Sequence, residues 1–231
     1  MSLDEAGTAP SPTYALLAAE AAREVVAPAR AHRPEADVRA VPWWRVRSLR
    51  QGSGLGEVLI SGVVCAVLLG VLTPTDLDGG PEIAAYTFGM MMLGTFVVSG
   101  YRLLTTGRPA ARRLARAATA PRPATRRYVL LHGPAGGRPS LFLFPDGERP
   151  DDLPDGLLML RPSDALPSAP TGSVELHGWL DRADSGLPVV VPWVDGRPLW
   201  PAEPLWEAGS ADFEGQLEWL APGVEAPQPP A

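Results

Sequence analysis

The sequence predicts an α+β membrane protein, in which a transmembrane α-helical hairpin is followed by a small, mostly β cytoplasmic domain. Two uncharged apolar runs predict the hairpin, sixteen residues from Val58 to Thr73 and nineteen from Ile83 to Tyr101. A spanning helix needs about 20 apolar residues, and about 17 to 25 are observed. After residue 127 the pattern changes to short β-like runs separated by turn residues, which predicts a compact antiparallel sheet.

Charge is divided unequally between the two halves of the chain. Residues 1–127 carry 15 Arg against 10 acidic residues, whereas residues 128–231 carry 5 Arg against 16. Nucleic-acid binding requires clustered positive charge that neutralises phosphates, so we expect no nucleic-acid partner for the acidic half. Cys65 is the single cysteine, and its apolar surroundings predict a small packed side chain rather than a disulfide or a reactive thiolate.

The N-terminal flank, residues 1–50, begins with an Ala-rich stretch over residues 13–30 that favours a short surface helix ending before Pro28. The stretch Val38–Arg50 mixes Trp, Val and Leu with four Arg, a composition suited to an anionic cytoplasmic leaflet. A solvated basic linker is the alternative. The residues expected at the membrane interface are Trp43, Trp44, Arg45, Arg47, Arg50, Tyr101 and Arg102.

The hairpin is expected over residues 51–105, with spans at about 55–73 and 83–104. The segment Pro74–Glu82 has turn chemistry and three acidic residues but no Arg, whereas arginines flank both outer ends of the spans. Cytoplasmic flanks are enriched in Arg and Lys, so both termini are predicted to lie in the cytoplasm and the loop outside, at the inner membrane. A buried helical hairpin of a soluble protein is the alternative.

Small residues recur at four-residue spacing within the spans, which places them along one helix face and lets a second backbone approach closely. The predicted helix-packing residues are Gly62, Ala66, Gly70, Ala85 and Gly89. The alternative is that Gly and Ala are simply common in membrane helices. Neither span carries an ionisable residue in its middle, which disfavours a two-helix transporter because such residues usually mark ion pathways.

A basic Pro- and Ala-rich stalk is expected over residues 106–127, with its helix broken at Pro121. Residues 128–206 should then form the β-domain, as five or six strands in a bent antiparallel sheet or a barrel of SH3-like or OB-like size. Asp195 and Gly196 predict a hairpin turn between two of these strands. Residues 207–231 form an acidic, Pro-rich tail in which Ala211–Leu220 could make a short helix.

Residues that could carry chemistry do not form a recognisable motif. His132 and His177 each precede a glycine in a predicted strand and could approach each other, but zinc would require further ligands. The carboxylates of one loop are expected to be solvated, namely Asp146, Glu148, Asp151, Asp152 and Asp155. We therefore predict no catalytic, cofactor-binding or metal-binding residues.

Three segments together resemble uncharacterised two-span integral membrane proteins of high-GC actinobacteria, and the resemblance carries no activity. They are PWWRVRSLR before the first span, DLDGG between the spans and VVVPWVDGRPLWPAEP in the β-domain. The function we expect is a noncatalytic membrane-anchored adaptor or assembly subunit, in contact with the lipid bilayer and with a protein partner or further copies of itself. The alternatives are a ligand-binding module or enzyme in the β-domain, and a small oligomeric channel component.

Overall fold

The computed structural model describes residues 12–23, 35–72, 80–121, 124–132, 138–147, 149–161, 166–179 and 189–220. The chain divides into two compact units, one of residues 34–116 and one of residues 1–33 together with 117–231. The first unit is helical. The second is built on an antiparallel sheet, so the predicted α+β class is confirmed.

The helical unit consists of a short 3-10 turn followed by four α-helices and one π-helical segment. In chain order these are the turn Trp43–Arg45, α2 at Arg47–Gly52, α3 at Leu55–Leu72, α4 at Gly80–Arg102, the π segment Leu103–Gly107 and α5 at Arg108–Ala118. The helix that precedes them, α1 at Tyr14–Arg23, belongs to the other unit. Residues 73–79 of the predicted external loop lie outside the described residues.

The helix continues without a break from α4 through the π segment into α5, beyond the predicted end of the second span. Pro109 lacks an N–H and its ring would clash with the carbonyl of Thr105 in a regular α-helix. The π segment before it shifts the hydrogen-bond register and accommodates the proline. The hydroxyls of Thr105 and Thr106 donate to the carbonyls four residues earlier, each at 2.8 Å. The arginine-rich stalk therefore begins as a helix.

α3 and α4 pack against each other as an antiparallel pair, and Gly62 lies at their contact. A Cβ atom built on Gly62 would lie 3.0 Å from the Phe96 ring, so the glycine provides the space that the ring occupies. At the base of the pair, a Cβ on Gly107 would lie 2.1 Å from the carbonyl oxygen of Ser53. Only a residue without a side chain permits that approach of two backbones.

The sheet of the second unit has seven strands among the described residues, all in antiparallel pairs, in the order β6-β5-β4-β1-β2-β3-β7. The strands are β1 at Ala124–His132, β2 at Pro139–Phe144, β3 at Gly156–Met159, β4 at Thr171–Trp179, β5 at Val189–Val194, β6 at Arg197–Pro198 and β7 at Trp206–Glu207. A final helix, α6, spans Ala211–Leu220 as predicted. β1 starts four residues before the predicted β-domain, at Ala124.

The sheet curls around one apolar core and carries a second core on its other face. The inner core contains Tyr128, Leu130, Leu141, Leu143, Leu158, Leu160, Val174, Leu176, Val190, Val194, Leu199 and Leu205. On the other face, α1 and α6 cover Val129, Leu131, Phe142, Phe144 and Leu157 with Leu17, Ala21 and Phe213. Both faces of β2 are therefore buried along its whole length, which explains its continuous apolar sequence.

The predicted hairpin turn at Asp195 and Gly196 is present between β5 and β6. Both residues have positive φ values, 51° and 72°, as the tight two-residue turns of β-hairpins require. The chain then returns along β3, where Leu160 forms a bridge with Pro201 and the amide of Ala202 donates to the Met159 carbonyl at 2.7 Å. The segment that follows β6 therefore covers the outer edge of β3.

The position of α1 differs from the expectation of a separate N-terminal flank. Leu17 and Ala21 are almost fully buried, and α1 belongs to the same compact unit as the sheet. The amides of Tyr14 and Ala15 donate to the carbonyls of Asp152 and Pro150, at 2.9 and 3.0 Å. A surface helix expected from composition is thus an integral layer of the β-domain.

Candidate functional site

The most prominent surface of the helical unit is a band of exposed apolar side chains. It comprises Leu59, Ile60, Val63, Val67, Tyr86, Phe88, Met90, Met91, Leu93, Phe96, Val97, Val98, Tyr101 and Leu104. Soluble monomers rarely expose a contiguous apolar patch larger than a few hundred Å². We call this set the apolar band.

Within the described residues, one helix is long and apolar enough to cross a membrane, Tyr86–Ala118, and 6% of its most apolar window is buried. A core helix of a soluble protein would be mostly buried, so its exposure favours contact with lipid. The apolar helix Leu55–Leu68 is shorter and does not meet that length criterion. Membrane association thus has support from one helix, and the two-span hairpin stays a prediction.

The predicted interface residues lie at the base of this helical unit. Trp43 and Trp44 contact each other edge to face, with ring centroids 5.9 Å apart. Arg45, Arg47, Arg50, Tyr101 and Arg102 are all exposed. Amphipathic rings and arginines of this kind are enriched at membrane surfaces, and their assignment to the interface stays a prediction.

The predicted helix-packing residues do not share one contact. Gly62 adjoins Phe96, whereas a Cβ on Gly70 or Gly89 would meet no atom of the described residues within 4 Å. Ala66 is exposed, and the side chain of Ala85 lies outside the described part of the chain. Gly107, whose backbone lies against the Ser53 carbonyl, was not predicted from the sequence because it lies beyond the apolar run.

Arg127 lies at the contact between α1 and the sheet, which we call the joint. Its guanidinium forms an ion pair with Asp152, and both side chains are less than 20% exposed. The Nε and Nη2 groups also donate to the carbonyls of Pro145 and Arg149, each at 3.3 Å. The guanidinium carbon lies 4.3 Å from the centre of the Tyr14 ring. One arginine of β1 therefore connects α1, β1 and the β2–β3 loop.

The carboxylates of that loop divide between ion pairs and exposed positions. Asp155 pairs with Arg126 at 3.0 Å, Asp146 and Asp151 are exposed, and Glu148 lies outside the described residues. Together with the Arg127 pair, these contacts give the loop a structural role. Asp152 and Asp155 pair with two neighbouring arginines of β1, so the prediction that all of these carboxylates are simply solvated is wrong for these two.

His132 and His177 lie far apart. β1 and β4 pair with Ala124 opposite Leu176 and Val129 opposite Thr171, so the two histidines occupy opposite ends of this strand pair. Nine residues of strand correspond to about 30 Å. The predicted possibility that they approach each other is therefore wrong.

His177 is buried, and its contacts are structural. Its Nδ1 lies 3.0 Å from the Ala120 carbonyl and its Nε2 lies 3.3 Å from a carboxylate oxygen of Glu175. The ring also adjoins the Trp193 ring, with centroids 5.4 Å apart. Among the residues that the structure describes, no group of three or more His, Cys, Asp or Glu could hold a metal ion.

Tyr128 is an ionisable residue of the inner core, and burial changes its pKa. Burial, and secondarily the negative charge of Asp195, raises its pKa from 10.0 to about 12. Its hydroxyl donates to the Ala169 carbonyl at 3.1 Å, and its ring fills the space above Gly172. The neutral phenol is therefore part of the inner core.

This shift predicts that the β-domain loses stability at alkaline pH. The folded pKa is raised above the unfolded value, so the stabilisation by the neutral phenol is complete below pH 10 and is lost between pH 10 and about 12. We expect a loss of about 3 kcal/mol across this window, measured by urea unfolding at each pH. In the Tyr128→Phe variant, the free energy of unfolding should change less between pH 10 and 12. If it fell as steeply as in the wild type, other groups would cause the loss of stability.

Comparison of the chain with protein-family models, with curated proteins and with solved structures found no significant match.

Proposed function

We propose that the protein is a noncatalytic membrane-anchored adaptor or assembly subunit of the inner membrane. In this proposal α3 and α4 form a two-span hairpin, and the acidic β-domain is held on the cytoplasmic side, where it meets a protein partner. The observation that carries the proposal is the packing of α1 and the sheet in one unit, although the apolar helices separate them in the sequence.

That packing constrains the number of membrane crossings. α1 precedes the apolar helices and β1 follows them, so the chain must return to the side from which it entered. A single crossing by α4 would place α1 and the sheet on opposite sides of the bilayer and expose the apolar side chains that they bury together. An even number of crossings keeps this core intact. The 18 residues of α3 span about 27 Å, close to the roughly 30 Å hydrocarbon core, which supports α3 as the other crossing.

The β-domain offers a polar, acidic surface rather than an apolar one. Its exposed carboxylates include Asp146, Asp151, Glu175, Asp195 and Glu214. In the described part of this unit, Leu153 is the single large apolar side chain among those most exposed to solvent. Electrostatic complementarity accelerates association with an oppositely charged surface, so this domain favours a partner with a basic patch.

The topology is testable with single cysteines in a Cys65→Ser background. A cysteine introduced before α1 and another after Ala231 should both react with a membrane-permeant maleimide in intact cells and both resist an impermeant one, because both ends lie on the cytoplasmic side. A cysteine in the loop of residues 74–79 should react with the impermeant reagent. Opposite labelling of the two ends would contradict the proposal.

The adaptor role requires a partner in stable proportion. Crosslinking in membranes followed by purification in mild detergent should recover a second protein, or further copies of this one, at a fixed ratio. Salt above about 0.5 M should weaken recovery of a partner bound through charge, because screening shortens the range of charge interactions. Recovery of the monomer alone from crosslinked membranes would count against the proposal.

A further inference from the structure

We infer that arginines from two separate helices form a binding site for the phosphate headgroups of anionic phospholipids at the base of the helical unit. This inference rests on the proposed membrane hairpin and names a specific partner for it. We call the five arginines the basic collar, and they are Arg47, Arg50, Arg102, Arg108 and Arg112. All five are exposed.

The contact between Ser53 and Gly107 brings the two sets of arginines together. Ser53 follows α2, and its hydroxyl donates to the Arg50 carbonyl at 2.8 Å. Gly107 immediately precedes Arg108, and its backbone approaches the Ser53 carbonyl as closely as a glycine allows. This contact brings the backbones next to Arg50 and Arg108 together, although the two arginines are distant in the sequence. Two carboxylates lie near these arginines. Glu35 accepts a hydrogen bond from the Ser48 amide at 2.7 Å, beside Arg47, and Glu57 is on the first turn of α3. The five arginines of the collar outnumber them.

The geometry of α5 directs its arginines back towards the membrane. Arg108 lies six residues beyond Arg102 and Arg112 ten residues beyond it, about 9 and 15 Å along the helix axis. Side chains of an α-helix lean towards its N-terminus, which for α5 is the end that joins α4. The long arginine side chains can thus return to the headgroup level while their stems follow the helix. Arg112 and Arg108 are four residues apart and share one helix face.

Phosphate diesters match the chemistry of this collar. A guanidinium presents a planar set of donors that binds phosphate oxygens in pairs, and the negative cytoplasmic leaflet attracts such groups near its surface. Tyr101 and Leu104, both exposed at this level, would contact the acyl chains beside the headgroup. A free phosphate would lack that apolar contact, and so the site favours a lipid.

The test measures lipid retention on the full chain extracted from membranes in mild detergent. Native mass spectrometry after titration with phosphatidylglycerol or phosphatidylcholine of the same acyl chains should show roughly tenfold more bound phosphatidylglycerol. The triple variant Arg50→Gln, Arg108→Gln, Arg112→Gln should lose this preference. The matched control is a triple variant in the other unit, Arg23→Gln, Arg149→Gln, Arg197→Gln. It changes the net charge by the same amount and should keep the preference for phosphatidylglycerol.

Lysine at the same three collar positions distinguishes lost charge from a folding defect. The lysine variant should keep most of the lipid preference, because it retains the positive charge at this site. Equal binding of the two lipids by the wild type would overturn the inference. An unchanged preference for phosphatidylglycerol in the glutamine variant would overturn it as well. Loss of a second protein copy instead of lipid from that variant would also overturn it. Failure of the chain to enter membranes at all would contradict the proposed function itself, before lipid is added.

Discussion

Gly107→Ala should destabilise the helical unit by about 3 kcal/mol, at the upper end of the cost of overpacking. The added methyl carbon would lie 2.1 Å from the Ser53 carbonyl oxygen, so one of the two backbones must move. Neither can do so easily, because the π segment on one side and the α2–α3 junction on the other are held by their own backbone hydrogen bonds. We expect a lower midpoint of thermal unfolding for the full chain in detergent and faster proteolysis near residue 53.

Gly100→Ala provides the matched control for this variant. Gly100 lies in the same continuous helix, and a Cβ there would meet no atom of the described residues within 4 Å. Alanine has the higher helix propensity by about 1 kcal/mol, so this variant should unfold at the wild-type temperature or slightly above it. Equal stability of the two alanine variants would show that the contact at Ser53 does not hold the base of the unit together.

Arg127→Ala should destabilise the β-domain by about 3 kcal/mol and release α1 from the sheet. The substitution leaves the carboxylate of Asp152 largely buried without its cation, which is the costly way to break such a pair. It also removes the donors to the loop carbonyls and the cation over the Tyr14 ring. Limited proteolysis should then cut between α1 and the apolar helices faster than in the wild type, and the urea midpoint should fall.

The neighbouring arginine separates this effect from a general loss of charge. Arg126→Ala removes the same charge from the adjacent position, but its pair with Asp155 is about one-third exposed. Exposed pairs contribute about 1 kcal/mol or less, so this variant should lose little stability and keep α1 protected. If both variants lost the same stability, the position of Arg127 between α1 and the loop would not be the cause.

The same joint has a consequence for the order of folding. α1 can dock only after β1 and the β2–β3 loop have been synthesised, since Asp152 and Arg127 follow the apolar helices in the chain. The β-domain therefore completes its fold only after the apolar helices have been synthesised.

Much of the fold could be predicted from local patterns. The apolar runs predicted α3 and α4, the Asp195-Gly196 pair predicted the β5–β6 turn, and Ala211–Leu220 formed the expected helix. These features depend on side chains only a few positions apart, whose periodicity and turn preferences are visible in the sequence. The strand starts were less accurate, because β1 begins within a segment whose composition resembled a stalk.

The sequence by itself determined which segments are apolar, which are basic and where the chain must turn, because these properties belong to individual residues and their near neighbours. Only the tertiary structure decided that α1 packs on the sheet, that Gly107 lies against Ser53, that Arg127 pairs with Asp152 and that the two histidines lie at opposite ends of a strand pair. Each of these depends on two positions distant in the chain. The free energy of such a contact depends on both partners and on the register that brings them together, and neither is present in the local pattern of either one.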